Sequence, residues 1–157
     1  MKVLIDTNVI LDVLCNRPDF VDDSLRVFKY CETQKITGCI SALSIPNIVY
    51  IMRKELDNER IKEILTTLTA LFTVVDLRGT DLMKAADLRF SDYEDALQAV
   101  SASRIKANYI VTRNIKDYAA EDAGEPFRGD GRGAGQCRRN NLSVAAAIYG
   151  YCDTEPD

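Results

Sequence analysis

Residues 2–8 read KVLIDTN, a short run of apolar and β-branched residues that stops at an acid, a threonine and an asparagine. Such a run predicts a buried strand that ends before Asp6, with the polar residues at a turn or helix cap. Similar runs recur at 37–40, 72–75 and 109–111. The segments between these runs have apolar residues at helical spacing, and none of them contains a hairpin signal. The pattern predicts an α/β fold in which helices cover both faces of a parallel central sheet.

The intervening segments carry apolar residues three and four positions apart, which is typical of amphipathic helices. This spacing predicts helices over residues 9–14, 21–33, 41–56, 59–71, 80–88 and 91–106. We expect Leu25 on the buried face of the second helix. Ser41 and Asn58 are the predicted caps of the third and fourth helices. Ser91 and Glu94 have the spacing of a capping box at the start of the last helix.

The composition excludes several classes of enzyme. The 157 residues include no histidine, so catalysis by a Ser-His-Asp or Cys-His pair and zinc held by histidine are ruled out. The five cysteines are odd in number and form no CxxC motif, which favours reduced, mostly buried thiols. The net charge of −4 argues against a generally basic nucleic-acid-coating protein. With no apolar run of about 20 residues and no signal peptide, we predict a cytoplasmic protein without membrane association.

Acidic residues follow the predicted strands or begin the predicted helices. Asp6 follows the first strand and Asp117 the fourth, while Asp95 lies one turn into the last helix with Asp92 three residues before it. In an open parallel sheet these positions converge at the carboxyl edge, where ligands bind. Gathered carboxylates repel one another unless a cation neutralises them, and oxygen ligands suit Mg²⁺ or Mn²⁺. We therefore expect metal-assisted hydrolysis of a phosphodiester, with a metal-activated water as nucleophile.

Three motifs together resemble a PIN domain, and among PIN domains they look most like the VapC-type toxins of bacteria. They are VLIDTN at 3–8, DYEDALQ at 92–98 and IVTRNIKDY at 110–118. The resemblance implies a three-layer α/β/α domain over residues 1–118. It also implies a magnesium-dependent endoribonuclease that cuts structured RNA, is held inactive by a small antitoxin and often forms a homodimer.

The resemblance also assigns roles to residues. Asp6 and Asp95 would be the central metal ligands, Asn114 and Asp117 would complete the site, and Thr7 and Thr112 would orient it. We place Asp92 and Thr112 with the catalytic residues, next to Asp6 and Asp95. Arg113 and Lys116 flank the site and are expected to hold RNA phosphates. Glu94 is expected to serve the capping box rather than the metal.

Two features depart from the family pattern. The family usually carries a glutamate in the helix after the second strand, and Asn47 stands there. An asparagine brings a carbonyl ligand but no charge, and we group Asn47 with the substrate-binding residues. Asp92 or Glu94 would compensate for the missing carboxylate.

The second departure is the tail over residues 119–157, which contains six of the eight glycines and does not resemble the usual ending of the family. Residues 127–141 predict loop or disorder, and residues 142–151 predict a strand or short helix. A shifted reading frame and a lineage-specific extension both explain such a tail.

Two other functions remain open from the sequence. The first is a PIN-like module that binds RNA or a protein partner without turnover, having lost activity with its glutamate. The second is a phosphatase or response-regulator-like domain, which also gathers acids at strand ends. Lys116 is the only late lysine available to that second class, and Asp6-Thr7 does not supply its acidic pair.

Overall fold

The order of strands and helices is that of an α/β domain. The computed structural model describes residues 1–88 and 90–114, together with the backbone of residues 137–139 and 142–145. The strands are β1 (Lys2–Ile5), β2 (Thr37–Ser41), β3 (Thr73–Val75), β4 (Tyr109–Thr112), β5 (Cys137–Arg139) and β6 (Leu142–Ala145). The helices are α1 (Thr7–Leu14), α2 (Val21–Glu32), α3 (Ser44–Met52), α4 (Asn58–Leu71), α5 (Gly79–Ala86) and α6 (Tyr93–Arg104).

The six strands form one sheet in the order β3-β2-β1-β4-β6-β5. The first four are mutually parallel, with Ile5 opposite both Ile40 on β2 and Val111 on β4. The antiparallel pair β5–β6 extends the sheet beyond β4. The prediction of loop or disorder over 127–141 is wrong at 137–139, which form β5. Of the two alternatives predicted for 142–151, a strand or a short helix, the structure has a strand at 142–145. The domain boundary at residue 118 and the rest of the tail lie outside the described residues.

Two apolar layers enclose the sheet, because alternate residues of each buried strand point to opposite faces. On one face Val3 and Ile5 pack with residues of α1 to α4, in a cluster centred on the buried Val9, Ile10 and Ile48. On the other face Leu4 packs against residues of α6. The expected three-layer arrangement is therefore confirmed. None of the described helices has the length and apolar character needed to cross a bilayer.

The three helix caps predicted from the sequence differ from those in the structure. Asp57 rather than Asn58 caps α4, and Asp92 rather than Ser91 caps α6, each by accepting a backbone N–H with Oδ1. Asp, Ser and Asn are about equally favourable as N-cap residues, so the sequence alone does not show which of several adjacent ones caps the helix. The third helix begins at Ser44, and Ser41 instead accepts a hydrogen bond from the N–H of Leu43.

The buried face of α2 also differs from the prediction. Leu25 is 46% exposed, whereas its neighbour Ser24 is completely buried. The hydroxyl of Ser24 donates to the buried carboxylate of Asp12 on α1 at 3.2 Å. Ser24 rather than Leu25 therefore faces the interior at this turn. The prediction for Leu25 was wrong because the spacing of apolar residues within one helix does not reveal a buried acid on another helix.

Ion pairs with arginines hold the acidic side chains near the end of β3. Arg104, in the last turn of α6, pairs with the buried Asp81 of α5 at 3.1 Å and with Asp76 at 2.9 Å. The guanidinium of Arg78 donates to the same Asp76 at 2.8 Å. These two arginines hold the pKa of Asp76 below its usual range. The pairs join α5 and α6 and neutralise the acids beside the third strand.

Gly38 lies on β2, against Cys31 of α2 and Phe72, the residue between α4 and β3. A Cβ atom at this position would lie 2.6 Å from the sulfur of Cys31 and 2.7 Å from a ring carbon of Phe72. The ring of Phe72 meets that of Phe28 edge-on with 5.0 Å between centroids. Burial raises the pKa of the Cys31 thiol to about 11. Cys31 and Cys39 are buried as expected, whereas Cys15 is exposed.

We predict that Gly38→Ala lowers the free energy of unfolding by about 1–3 kcal/mol, because the added methyl forces Cys31 and Phe72 to move in a packed interior. Urea denaturation measures the change. Gly79→Ala is the matched control, since a Cβ on Gly79 meets no atom within 4 Å and alanine favours the first turn of α5. A Gly38→Ala protein as stable as the Gly79→Ala protein would contradict the close packing.

Candidate functional site

A cavity of about 400 Å³ lies at the carboxyl edge of the sheet, where β1 and β4 end. The first turns of α1 and α6 and one side of α3 complete its wall. Its described lining comprises Asp6, Thr7, Asn8, Leu11, Asn47, Tyr50, Ile51, Asp92, Glu94, Asp95 and Asn114. Four of these are carboxylates, two of the asparagines are predicted site residues, and none is a lysine or arginine. The structure therefore brings together the site residues predicted from separate motifs, apart from those described below.

Asp6 lies at the floor of this cavity with 2% of its surface exposed. Its N–H donates to the carbonyl of Val111, which places it directly beyond the β1–β4 pairing. Oδ2 accepts from the hydroxyl of Thr112 at 2.8 Å, and Oδ1 accepts from the N–H of Asn8 at 3.3 Å and from Nε2 of Gln98 at 3.1 Å. Three neutral donors thus hold one buried carboxylate in a fixed orientation.

Gln98 is the residue that sequence reasoning missed. It is buried in α6, and its Oε1 has no hydrogen-bond partner within the described part of the chain. The Nε2–Asp6 bond fixes the amide orientation, because the opposite orientation would set Oε1 against the carboxylate. The available signal was a polar residue three positions after Asp95 in an otherwise apolar helix face. Gln98 orients Asp6 from below the cavity.

Glu94 lines the cavity instead of closing a capping box. Because Asp92 caps α6, the Glu94 side chain is released from that role, and its Oε1 accepts from the hydroxyl of Thr7 at 3.1 Å. The Thr7 hydroxyl lies 2.7 Å from that of Ser44. Since Thr7 donates to Glu94, Ser44 donates to Thr7. The capping-box interpretation of Glu94 was wrong, and Thr7 orients this carboxylate.

The other predicted residues divide into two groups. Asp92, Asp95, Asn47 and Asn114 line the cavity with Asp6, although their roles stay predictions. The backbone N–H of Asn114 donates to the hydroxyl of Thr112 at 3.0 Å, which links the end of β4 to Asp6. Asp117 and Lys116 lie outside the described residues.

Arg113 makes contacts that hold the fold together. Its Nε lies 3.3 Å from the buried Asp12 carboxylate, and its guanidinium lies 4.3 Å from the centroid of the Phe20 ring. A further nitrogen donates to the side-chain oxygen of Asn8 at 3.2 Å. Arg17 pairs with the same Asp12. These contacts tie the end of β4 to α1 and α2, and a role of Arg113 in phosphate binding stays a prediction.

The charge pattern distinguishes the cavity from the rest of the molecule. Asp12, Asp76 and Asp81 have arginine partners, whereas no ion pair in the described part of the chain involves Asp6, Asp92 or Glu94. Carboxylate and amide oxygens are the ligands that Mg²⁺ and Mn²⁺ prefer.

Among the described residues, no three acids or cysteines are grouped so that they could hold an ion by themselves. Mg²⁺ is commonly held by only one or two carboxylates and keeps several waters. The residues present therefore fit such an ion when amides and water complete its shell.

A family model described as a PIN domain matches residues 2–116 of the chain. The chain belongs to the PIN domain family. The resemblance predicted from three motifs is confirmed, and it replaces the phosphatase or response-regulator alternative. A comparison with curated proteins gives no match.

Solved structures share the fold of this PIN domain. One is VapBC2 from Rickettsia felis bound to a DNA fragment from their promoter, at a TM-score of 0.57 and 21% identity over 75% of this chain and 91% of that one. A toxin-antitoxin complex from Klebsiella pneumoniae has a TM-score of 0.56 and 19% identity over 76% and 92%. DNA-bound VapBC from Salmonella typhimurium has a TM-score of 0.56 and 18% identity over 78% and 94%.

We predict that Thr112→Val lowers the free energy of unfolding of this PIN domain by about 1–3 kcal/mol, since the buried Asp6 carboxylate loses its shortest hydrogen bond without a change in side-chain shape. Thr112→Ser keeps the hydroxyl and should be the more stable of the two variants. Urea denaturation compares them. A valine variant at least as stable as the serine variant would show that the Thr112–Asp6 bond does not stabilise the fold.

Proposed function

We propose that this PIN domain is a Mg²⁺- or Mn²⁺-dependent endoribonuclease and the toxin of a toxin–antitoxin pair. The observation that carries the proposal is the cavity at the sheet edge, whose lining contains four carboxylates and three asparagines and no described lysine or arginine. Such a site repels anions until a cation binds. An RNA phosphate then becomes a favourable occupant.

In this proposal Asp6 and Asp95 hold the ion, with Asn114 and Asp117 completing the shell. When bound, the ion would lower the pKa of a water and stabilise negative charge on the phosphate, so that hydrolysis would need no histidine, which this chain lacks. Thr112 and Gln98 aim the carboxylate of Asp6. The protein's contribution is a set of carboxylates oriented before the substrate arrives.

Glu94 supplies the charge that Asn47 lacks. Both residues line the cavity, and Thr7 fixes the Glu94 carboxylate through its hydroxyl. The site therefore keeps four carboxylates although the residue in α3 is neutral. The alternative of a PIN module that binds without turnover rests on the same Asn47, because a neutral ligand in that place weakens the hold on a divalent ion.

The partner in this proposal is a small antitoxin. Support comes from the structures of similar fold, which are toxin–antitoxin complexes of other organisms. A homodimer and a cytoplasmic location, both predicted at the level of sequence, belong to the same proposal. A neighbouring reading frame that encodes a small DNA-binding protein would supply the antitoxin.

Asp95→Asn should reduce cleavage of a labelled structured RNA at least about 100-fold, because the ion loses a charged ligand. The same variant should show a smaller rise in melting temperature than the wild type when Mn²⁺ is added. Asp87→Asn is the matched control, since Asp87 is exposed at the end of α5 and does not line the cavity. Cleavage at the wild-type rate by the Asp95→Asn protein would remove Asp95 from the catalytic site.

Asn47→Glu tests the departure in α3. Without metal the added carboxylate should destabilise the fold through repulsion within the cavity, and with Mn²⁺ it should tighten binding of the ion. Cleavage should rise, or begin if the wild type has none. Isothermal titration with Mn²⁺ measures the affinity, with Gln34→Glu adding the same charge at an exposed position outside the cavity. An affinity for Mn²⁺ no higher than that of the control would show that residue 47 does not act on the ion.

A further inference from the structure

Tyr50 stands at the mouth of the acidic cavity. It lies on α3, one turn after Asn47, and lines the cavity while 55% of its surface remains exposed. A large aromatic side chain in this position gains little from packing, so its exposure is not explained by the core. The ring is a flat surface next to the carboxylates.

Two cations accompany this ring. The guanidinium carbon of Arg53 lies 4.4 Å from the ring centroid, and Nζ of Lys54 lies 5.6 Å from it. Both side chains are exposed, and neither takes part in an ion pair within the described part of the chain. Arg113, the predicted phosphate ligand, is paired with the buried Asp12 instead. Among the described residues, the positive charge beside Tyr50 that no ion pair uses therefore comes from the two residues that follow α3.

We propose that Tyr50, Arg53 and Lys54 form a binding site for one unpaired nucleotide of the RNA, next to the phosphate that enters the cavity. The base stacks on the Tyr50 ring, and the two cations bind its flanking phosphates. This proposal rests on the proposed nuclease function, since it names the part of the substrate that the site holds. Exposed cations beside an acidic cavity draw a polyanion to its edge, while the cavity itself admits a phosphate only with a divalent ion.

The proposed stacking site raises the affinity for RNA but does not select its base sequence. Every base has a π face, so an aromatic ring accepts all four, and the substrate must offer an unpaired nucleotide such as one in a loop. The proposed site therefore selects loops and single strands over duplexes. It places the base beside the cavity that the carboxylates line, without any base-specific hydrogen bond.

The chain contains a matched control in Tyr30. This residue is 42% exposed on α2, and Nζ of Lys35 lies 5.6 Å from its ring centroid, the distance found for Lys54 and Tyr50. Tyr30 does not line the cavity. It therefore reproduces an exposed, cation-flanked tyrosine in a different place.

Binding is measured by fluorescence anisotropy with a 5′-fluorescein-labelled single-stranded oligoribonucleotide in Mg²⁺, using Asp95→Asn protein so that the probe is not cut. Tyr50→Ala should weaken binding about 5- to 150-fold, as expected for the loss of one stacked base. Tyr30→Ala should leave the affinity within about twofold, and Tyr50→Phe should retain it because the ring is kept. The double variant Arg53→Gln/Lys54→Gln should lower the salt dependence of binding by about 0.7 in slope per lost phosphate contact.

A direct signal of stacking is also available, because the chain contains no tryptophan. Tyr50→Trp places a single tryptophan at the proposed site, and the unlabelled oligonucleotide should quench its fluorescence, whereas Tyr30→Trp should not respond. Quenching at residue 50 alone supports the proposal. Equal affinity of the Tyr50→Ala and Tyr30→Ala proteins for the oligonucleotide overturns it, even if Tyr50→Ala weakens the binding of a protein partner.

The two proposals fail separately. If the wild type cuts RNA but Tyr50→Ala binds the oligonucleotide as tightly as Tyr30→Ala does, the nuclease stands and the stacking site is wrong. If the wild type cuts no RNA with Mg²⁺ or Mn²⁺ but Tyr50→Ala loses affinity, the stacking site stands in a module that binds without turnover.

Discussion

The buried carboxylate of Asp6 is the constraint on which the site and much of the fold depend. An ionised carboxyl inside a protein costs several kcal/mol unless hydrogen bonds replace its water. Here the replacement comes from α1, from Gln98 on α6 and from Thr112 on β4. The same bonds therefore stabilise the charge and fix three elements around the end of β1. Because all three donors are neutral, the described chain does not compensate the negative charge, and in the proposed function a divalent cation does so.

Acids elsewhere in the molecule show the opposite arrangement. Asp12 is completely buried between two arginines, and Asp81 is paired with Arg104. These pairs join helices and strands, and breaking one would leave a buried charge without a partner. In the described part of the chain, arginine thus pairs with Asp12 and Asp81, which join helices and strands, whereas no ion pair involves Asp6, Asp92 or Glu94 of the cavity. This difference distinguishes the two kinds of acid more clearly than burial does, since Asp6 and Asp12 are both buried.

The sequence predicts the strands and the convergence of Asp6, Asp92 and Asp95, because the carboxyl ends of parallel strands and the starts of the helices that follow them meet at one edge. Asn114 is assigned to the site by the family resemblance alone. The sequence does not predict the exposure of Leu25 or the capping by Asp92, since both depend on side chains that meet only after folding. Gln98 escaped notice for the same reason. A polar residue in an apolar helix face indicates a partner, but only the packed structure shows that the partner is Asp6.

The two outer strands of the described sheet, β3 and β5, are three residues long. An edge strand offers unpaired backbone groups to another chain, and its length sets how many hydrogen bonds a sheet shared between two copies would form. Three residues allow few, so extending the sheet across β3 gives little stability to an assembly. Within the described part of the chain, the larger surfaces that a second copy could bury are those of the helical layers, where helix packing rather than strand register would set the geometry of the pair.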